Sequence, residues 1–209
     1  MKSNTNASLE YWSAPNKWFL DAYDDSLLQK IIHGPLKLRV ELAIAATKIS
    51  SAKKVLDLGC GPSRVIHRCL SETNVESAIG LDFSKRMLSE SSEYLTKKNV
   101  IDKVELIQCD LLDIDKYPTA DIAIALGLFD YISNPELVIR QTHASCKYMV
   151  SSWVRPSPRN FARRFRYSCD IFTHTENDVR KFFYNSGINS LFFIELGPMC
   201  GFVTISTKD

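Results

Sequence analysis

The feature that most constrains the fold of this 209-residue chain is an alternation of short apolar runs with helical segments. Five runs have the length and apolar character of buried strands; they are residues 55–58, 77–81, 104–109, 122–126 and 148–153. Helical segments lie between them, at residues 64–71, 84–98 and 135–146. This alternation predicts βαβ units, and hence a parallel sheet covered by helices on both faces.

Both ends of the chain depart from this alternation. Residues 1–23 are polar with interleaved aromatics, which we interpret as a helical flap that docks through those aromatics. Two helices follow, at residues 24–33 and 35–49, separated by Gly-Pro. The last two strands, near 189–196 and 201–207, have a short connection that predicts an antiparallel hairpin. We expect an N-terminal helical flap over residues 1–52 and one core domain over residues 53–209.

Composition narrows the class of protein. Apolar residues make up 45% of the chain, which is typical of a globular domain, and 26 Lys and Arg nearly balance 24 Asp and Glu. This balance excludes the global basic field of a nucleic-acid coat protein. The six cysteines match no zinc spacing, so we predict no metal site and small buried thiols in a reducing compartment. The longest apolar stretch is too short to span a bilayer, so we expect a cytoplasmic protein without a membrane partner.

A glycine turn follows the first predicted strand and opens a helix. The turn contains Gly59, Cys60 and Gly61, and Asp82 ends the second strand roughly 20 residues later. A strand, a glycine turn and a helix N-terminus form a ligand cradle, because glycine allows close backbone approach and the helix end favours negative groups. An acidic residue at the position of Asp82 is placed to accept ribose hydroxyls.

Two details distinguish this cradle from a dinucleotide site. The third glycine of a GxGxxG motif is absent, since residues 63–65 are Ser-Arg-Val. Asp57 precedes the first glycine, where a carboxylate would repel a pyrophosphate by about 1 kcal/mol or more. The same carboxylate would attract an ammonium or sulfonium group. The sequence therefore favours a zwitterionic nucleoside with positive charge, while a dehydrogenase with a nicotinamide cofactor stays an alternative.

Four motifs follow one another along the predicted sheet. They are VLDLGCG at residues 55–61, GLDFS at 80–84, QCDL at 108–111 and ADIAIALGLFDYI at 120–132. Together they resemble the motifs of class I S-adenosylmethionine-dependent methyltransferases, over roughly residues 53–207. The resemblance implies an α/β, doubly wound, mostly parallel seven-stranded sheet of order 3-2-1-4-5-7-6 with strand 7 antiparallel. It also implies S-adenosyl-L-methionine as cofactor and S-adenosyl-L-homocysteine as product.

The resemblance gives a role to each motif residue around the methionine and ribose parts of the cofactor. Gly59, Cys60 and Gly61 would present their backbone to the methionine part. Asp57 would neutralise the methionine amino group, directly or through water, and Asp82 would accept both ribose hydroxyls. One position departs from the family pattern, since Ser63 stands where the family often has glycine.

Further motif residues are implied at the adenine and sulfonium ends. Phe83 and Met87 would pack against adenine. Asp110 would accept a hydrogen bond from the adenine amino group, with the amide of Leu111 nearby. The backbone carbonyls of two more residues would line the sulfonium side: Leu126 and Gly127.

Methyl transfer from a sulfonium is an in-line displacement, which requires alignment and exclusion of water but no covalent enzyme intermediate. A general base is optional and depends on the acceptor. The candidate catalytic residues are His174, just before a helix cap at Thr175, and Tyr131, after the fourth strand. The alternative interpretations are a surface or capping histidine and a tyrosine used in packing.

Residues 137–169 contain no acidic residue but several arginines. Arg159 and Arg163 share one face of a helix predicted after Ser157-Pro158. This insert, residues 154–174, follows the fifth strand and is expected on the substrate side of the sheet. The arginines either recruit an anionic acceptor, such as a carboxylate or phosphate, or form a solvated helix face.

The sequence thus predicts an enzyme that methylates oxygen or nitrogen of a small molecule. The arginines of the insert favour an anionic acceptor. Nucleic acid is not favoured, because LGLF at residues 126–129 replaces the motif used on base amino groups and no RNA-binding module is appended. An RNA methyltransferase that uses the patch of residues 155–166 stays an alternative. So do a protein methyltransferase and a cofactor-binding partner without catalysis. The sequence does not indicate the oligomeric state.

Overall fold

A computed structural model of the chain describes residues 34–158, 160–161, 171–197 and 201–208. The elements, in chain order, are α1 (Gly34–Ile49), β1 (Lys54–Leu58), α2 (Arg64–Glu72), β2 (Ser77–Asp82), α3 (Lys85–Lys97), a 3-10 turn (Ile101–Lys103), β3 (Val104–Gln108), β4 (Ala120–Ala125), α4 (Pro135–Ser145), β5 (Cys146–Val154), α5 (Glu176–Asn185), β6 (Ser190–Gly197) and β7 (Gly201–Thr207). These bounds agree with the predicted elements to within a few residues. The predicted flap over residues 1–23 and the helix over 24–33 lie outside the described residues.

The seven described strands form one sheet in the order β3-β2-β1-β4-β5-β7-β6. The first five strands are parallel to their neighbours. Strand β7 is antiparallel to both β5 and β6, and its pairing with β6 runs from Ser190 opposite Thr207 to Gly197 opposite Gly201. The doubly wound sheet, its strand order and the terminal hairpin are therefore confirmed.

Two apolar layers cover the faces of this sheet. One layer packs α4 and α5 against the sheet and includes Leu56, Phe129 and Trp153. The other includes Ala43 of α1 and Val55 of β1. Adjacent residues of β1 face opposite layers, since side chains alternate along a strand. This double burial explains why the parallel strands are continuous apolar runs.

Capping side chains mark the starts of two helices. Asn134 accepts a hydrogen bond from the backbone N of Leu137 at 3.2 Å and caps α4. Thr175 and Asp178 form a capping box at the start of α5. These caps satisfy backbone donors that a helix leaves unpaired in its first turn.

The cysteines inside the described ranges fit the predicted role of small apolar residues. Cys60, Cys69 and Cys146 are buried free thiols and Cys109 is half-buried. Of the helices that the structure describes, none has the length and apolar character needed to cross a bilayer. The division of the chain at residues 52 and 53 stays a prediction.

Candidate cofactor site

The three acidic motif residues lie at the carboxyl ends of three adjacent strands. Asp57 is the penultimate residue of β1, Asp82 ends β2, and Asp110 follows β3. The strand register pairs Asp57 with Gly80 and Asp82 with Gln108. Because parallel strands end at the same edge, the three carboxyl groups belong to one edge of the sheet, where open α/β sheets bind ligands.

The glycine turn between β1 and α2 is tied to the end of β2. The backbone N atoms of Gly59 and Cys60 both donate to the carbonyl O of Leu81, at 2.8 and 3.0 Å. The backbone N of Gly61 donates to Asp82 Oδ2 at 2.9 Å. A Cβ placed on Gly61 would meet nothing within 4 Å. The turn is therefore held in place by the protein, and its backbone faces open space.

The carboxylate of Asp82 organises the turn and retains the capacity to bind a ligand. Asp82 is 6% exposed, and its Oδ1 accepts from the backbone N of Ser84 at 2.8 Å while Oδ2 accepts from Gly61. Burial raises the pKa of Asp82, and hydrogen bonds from nearby backbone amides oppose that rise. An ionised carboxylate offers about four acceptor positions, so each oxygen can still accept from a ligand hydroxyl.

Asp57 lies in a different environment from Asp82. It is 4% exposed, and burial raises the pKa of Asp57 to about 7, with the charge of Asp82 acting in the same direction. Removing a carboxyl group from water disfavours its charged form unless a cation or a hydrogen-bond donor compensates. A cationic ligand beside Asp57 would supply that compensation, so this carboxyl group is suited to an ammonium.

Ser63 has a backbone conformation that favours glycine. Its φ of 53° and ψ of 30° lie in the left-handed region, which costs a non-glycine residue about 1–2 kcal/mol. The side chain is fully buried, and Ser91 Oγ of α3 donates to Ser63 Oγ. The serine therefore adopts a left-handed backbone conformation that glycine would adopt without strain. Sequence analysis missed Ser91, whose place between buried Met87 and Leu95 on α3 was the available signal.

The residues implied for adenine lie just after β2 and β3, and Met87 lies in the first turn of α3. Phe83 is half-buried, and Met87 is 2% exposed with its backbone N donating to Ser84 Oγ at 3.3 Å. Asp110 is half-buried, and its Oδ1 accepts from the backbone N of Leu112 at 2.9 Å. Leu111 is buried, and its carbonyl O accepts from the hydroxyl of Tyr117 at 2.9 Å. These positions suit the implied roles, and contact with adenine stays a prediction.

The segment after β4 closes the site from the other side. Leu126 and Gly127 directly follow the strand, and the backbone N of Gly127 donates to Ser152 Oγ at 2.8 Å. The next residue, Leu128, reaches the glycine turn, since a Cβ on Gly59 would lie 3.1 Å from Leu128 Cδ1. The glycine turn and the β4 segment therefore face each other, as the implied binding of methionine and sulfonium between them requires.

Sequence analysis also missed Arg39 of α1. Arg39 is 9% exposed, and a Cβ on Gly127 would lie 3.0 Å from its Nη1 atom. The signal was its helical phase, because Arg39 precedes the buried residues Ala43 and Ala46 at the spacing of one helix face. The structure thus brings a cation from α1 to the segment after β4.

The two candidate catalytic residues lie near the ends of β4 and β5. His174 is 8% exposed and belongs to an aromatic cluster with Phe129, Trp153 and Phe182. Its backbone N donates to Val154 O at 2.8 Å, and its ring Nε2 lies 3.4 Å from Phe129 O. Burial lowers the pKa of His174, which favours the neutral imidazole. The interpretation of His174 as a surface histidine is wrong, because packing against the cluster buries it.

Tyr131 and the arginine insert are described in part. Tyr131 is half-buried in the turn after β4, where its backbone N donates to Leu128 O at 2.9 Å. Arg159 and Arg163, with residues 162–170 of the insert, lie outside the described residues. At the start of the insert, Arg155 Nη2 pairs with Glu195 Oε1 at 2.5 Å. That contact directs one arginine of the patch toward β6.

Comparison with known proteins identifies the type of domain. A family model described as "Methyltransferase domain" matches residues 49–182. Magnesium protoporphyrin IX methyltransferase from Synechocystis PCC 6803, solved with bound SAH, superposes with a TM-score of 0.77 at 15% identity, covering 99% of this chain and 100% of that chain. The methyltransferase domain of bacterial CtHen1-CN gives a TM-score of 0.66 at 18% identity, covering 83% and 100%. At such identities these structures show the fold.

Curated relatives match over shorter stretches. The rRNA N(6)-adenosine-methyltransferase metl-5 of Caenorhabditis elegans is 32% identical over 84 residues, which is 40% of this chain and 36% of that protein. A protein-lysine N-methyltransferase of Saccharolobus islandicus (strain REY15A) is 25% identical over 76 residues, or 36% of this chain and 47% of that protein. The chain spans less than half the length of either curated relative.

Proposed function

The chain belongs to the methyltransferase domain family, and from this premise we propose that it transfers the methyl group of S-adenosyl-L-methionine to oxygen or nitrogen of a small molecule. The second product is S-adenosyl-L-homocysteine. Structural neighbours solved with SAH or SAM superpose on almost the whole chain, with TM-scores of 0.77 and 0.75, which supports this cofactor. The cysteine pattern, with buried free thiols, supports a cytoplasmic location.

One observation carries the cofactor proposal: the contact between Asp82 and the backbone of Gly61, beside the buried carboxyl group of Asp57. The contact holds an acceptor for ribose hydroxyls and a glycine turn at one point of the sheet edge. Asp57 adds a carboxyl group that a cation stabilises in its charged form. A pyrophosphate would meet a negative charge at this position, so the arrangement favours the sulfonium nucleoside over a dinucleotide.

The protein's task in this reaction is positioning. The bound cofactor supplies the activated methyl group, with a neutral thioether as leaving group. Asp57 would hold the amino group, and the Gly127 segment would lie beside the sulfonium. Contact between Leu128 and Gly59 narrows the space between the two segments and helps to exclude water.

We propose that His174 accepts a proton from the methyl acceptor, where the acceptor carries one. Burial lowers the pKa of His174, so the ring is neutral and able to accept at neutral pH. With Nε2 turned toward the carbonyl O of Phe129, the tautomer protonated at Nε2 leaves Nδ1 as the acceptor atom. Tyr131 would contact the acceptor or the cofactor from the turn after β4.

The segment after β4 supports a small-molecule acceptor. Its sequence is Leu-Gly-Leu-Phe, which lacks the Pro-Pro-aromatic motif used on base amino groups. Arg159 and Arg163 would recruit an anionic group on that acceptor. RNA is the second candidate, because one curated relative, metl-5, is named as an rRNA methyltransferase. A protein acceptor is a further alternative, because the other curated relative is named as a protein-lysine N-methyltransferase.

Titration calorimetry with S-adenosylmethionine, S-adenosylhomocysteine and NADH tests the cofactor proposal. We expect both sulfur nucleosides to bind and Asp82→Ala to weaken that binding at least tenfold, about 1.4 kcal/mol. Asp102→Ala is the matched control, because Asp102 is exposed in the 3-10 turn before the amino end of β3, and the acidic residues lie at the carboxyl ends of the strands. Unchanged affinity in Asp82→Ala, or binding of NADH alone, would contradict the proposal.

Methyl transfer from labelled cofactor then identifies the acceptor class. Turnover of a small carboxylate or phosphate that changes little with salt supports the proposal. Binding to RNA that falls steeply with salt, together with transfer to RNA, would identify an RNA methyltransferase instead. Cofactor binding with no transfer to any class would indicate a binding partner without catalysis.

A further inference from the structure

The hydroxyl of Ser152 connects β5 to the segment that follows β4. Ser152 is 4% exposed, and its Oγ accepts from the backbone N of Gly127 at 2.8 Å. Its side chain lies on the face of the sheet opposite to that of the neighbouring Trp153, because side chains alternate along a strand. Trp153 packs on Phe129 in the aromatic cluster, so the contact between Ser152 and Gly127 is separate from that cluster.

This contact fixes the direction of the Leu126 carbonyl. The C=O of Leu126 and the N–H of Gly127 belong to one planar trans peptide, in which the two bonds point in opposite directions. Since the N–H points toward Ser152 of β5, the carbonyl points away from β5. Strand β4 pairs with β5 on one side and with β1 on the other, so this direction leads toward the end of β1 and its glycine turn.

The glycine turn does not use this carbonyl. The backbone N atoms of residues 59–61 donate to β2 instead, two of them to the carbonyl O of Leu81 and the third to the carboxylate of Asp82. The two segments still approach each other, because a Cβ on Gly59 would lie 3.1 Å from Leu128 Cδ1. A ligand held between the two segments would therefore meet the Leu126 carbonyl on its β4 side.

A carbonyl at this place has the chemistry to meet a cation. Its oxygen carries partial negative charge, and the hydrogen bond that Ser152 accepts from the same peptide strengthens the peptide dipole. The methionine part of S-adenosylmethionine carries two cationic groups, an ammonium and a sulfonium. Asp57 of β1 offers a carboxyl group for these cations, and the Leu126 carbonyl adds an acceptor from the β4 side.

We propose that Ser152 is a positioning residue whose hydroxyl holds the Leu126 carbonyl toward the cationic groups of the cofactor's methionine part. The inference rests on the proposed function, since it adds a positioning residue to the same cofactor site. It requires that loss of the hydroxyl weaken the binding of ligands with a cation in this part and spare a ligand that has none. A purely structural role of Ser152 would affect all of these ligands alike.

The test compares S-adenosylmethionine, S-adenosylhomocysteine and methylthioadenosine, which keeps the nucleoside and a neutral sulfur but has neither cation. Dissociation constants are measured by calorimetry on the wild type, Ser152→Ala and Ser152→Thr. We expect Ser152→Ala to weaken S-adenosylmethionine about fivefold or more, as the loss of one hydrogen bond would, and methylthioadenosine less than about twofold. Ser152→Thr keeps the hydroxyl and should retain the wild-type affinities. S-adenosylhomocysteine keeps only the ammonium, so a loss equal to that of S-adenosylmethionine assigns the carbonyl to the ammonium, and a smaller loss assigns it to the sulfonium.

Ser145→Ala is the matched control. Ser145 is 6% exposed and its Oγ donates to Tyr117 O at 2.8 Å, but it lies just before β5 begins, at the opposite edge of the sheet. Thermal unfolding shows whether each variant folds, and Ser152→Cys, whose thiol is a weak acceptor, replaces Ser152→Ala if that variant does not fold. Equal weakening of all three ligands, no weakening of any, or the same selective loss in Ser145→Ala would overturn the inference and leave the proposed function in place. Failure of the wild type to bind S-adenosylmethionine would overturn both.

Discussion

The two halves of the sheet's carboxyl edge are built in different ways. In the cofactor half, at the ends of β1, β2 and β3, partners are close in sequence, as with Gly61 and Asp82, which are 21 residues apart. In the acceptor half, at the ends of β4 and β5, they are distant, as with His174 and Phe129, which are 45 residues apart. The cofactor half relies on backbone hydrogen bonds and the acceptor half on aromatic packing. Substitutions should therefore change cofactor affinity in the first half and stability in the second.

The largest expected effect is that of Trp153→Ala in the acceptor half. Trp153 is fully buried, stacks on Phe129 at 4.0 Å between ring centroids, and donates from Nε1 to Ser151 Oγ at 2.8 Å. We expect the free energy of unfolding, measured in urea, to fall by about 3–5 kcal/mol.

The same variant tests how separate the halves are. In the absence of urea, the folded fraction of Trp153→Ala should bind S-adenosylmethionine with nearly the affinity of the wild type. Phe192→Ala, at an exposed aromatic of β6, should change stability by less than about 0.5 kcal/mol. A loss of cofactor affinity in Trp153→Ala as large as the loss of stability would show that the two halves are not independent.

Gly61→Ala is the strongest test of the cofactor half. Its φ of +50° makes alanine unfavourable by about 1–2 kcal/mol, and the added methyl group would project into the open space above the turn. We expect calorimetry to show cofactor affinity at least tenfold lower.

Gly187→Ala separates backbone strain from ligand contact. Gly187 has a φ of +78° and open space around it, but it lies just after α5. Both variants should lose a similar amount of stability, and only Gly61→Ala should lose affinity. Equal affinity losses would show that the turn does not contact the cofactor.

The next effect is a pH dependence of cofactor binding that arises from Asp57. With a pKa near 7 in the free protein, Asp57 must lose its proton before it can pair with the cofactor's ammonium. Affinity should therefore be about fivefold lower at pH 6 than at pH 7, a range in which the ammonium stays protonated. In the ligand-free protein the folded state holds this proton more tightly than the unfolded chain, so stability should fall as pH rises from 3.8 to about 7.

Asp57→Asn is the control for this pH dependence. The variant keeps Asp82, so the slope of affinity against pH should disappear if Asp57 is its source. A slope that persists in Asp57→Asn would assign the titration to Asp82 or to another group at the edge. The acceptor half should behave differently, because titration of His174 between pH 6 and pH 7 should not change cofactor affinity.

The sequence predicted the cofactor half well because its signals are local. The strand, glycine turn and helix are contiguous, and the acids fall at strand ends that periodicity locates. The caps at Asn134 and Thr175 were predictable for the same reason, since the capping side chain lies within the motif. The strand order followed from the family resemblance, which adds information that periodicity lacks.

The remaining features depend on tertiary packing and could not be predicted in the same way. Arg39 meets Gly127, which follows β4, only because α1 packs against a distant part of the sheet, at β5, β6 and β7. The burial of His174 depends on Trp153 and Phe182, which belong to separate elements. No local sequence pattern predicts these contacts between distant residues. They lie mainly at the ends of β4 and β5, in the acceptor half.

The smallest expected effect, that of Ser63→Gly, tests how locally the cofactor half is fixed. Glycine would relieve about 1 kcal/mol of left-handed strain. It would also remove the hydroxyl partner of buried Ser91, which costs about 1 kcal/mol or more, and it would add freedom to the unfolded chain. These contributions nearly cancel, so the free energy of unfolding should change by less than about 1 kcal/mol. Because Gly61 stays tied to Asp82, cofactor affinity should change less than twofold.

The double variant of Ser63→Gly with Ser91→Ala measures the contribution of the hydrogen bond between the two hydroxyl groups. If Ser63→Gly alone weakened cofactor binding tenfold, contacts beyond the turn would be required to hold the cofactor half, and its contrast with the acceptor half would disappear.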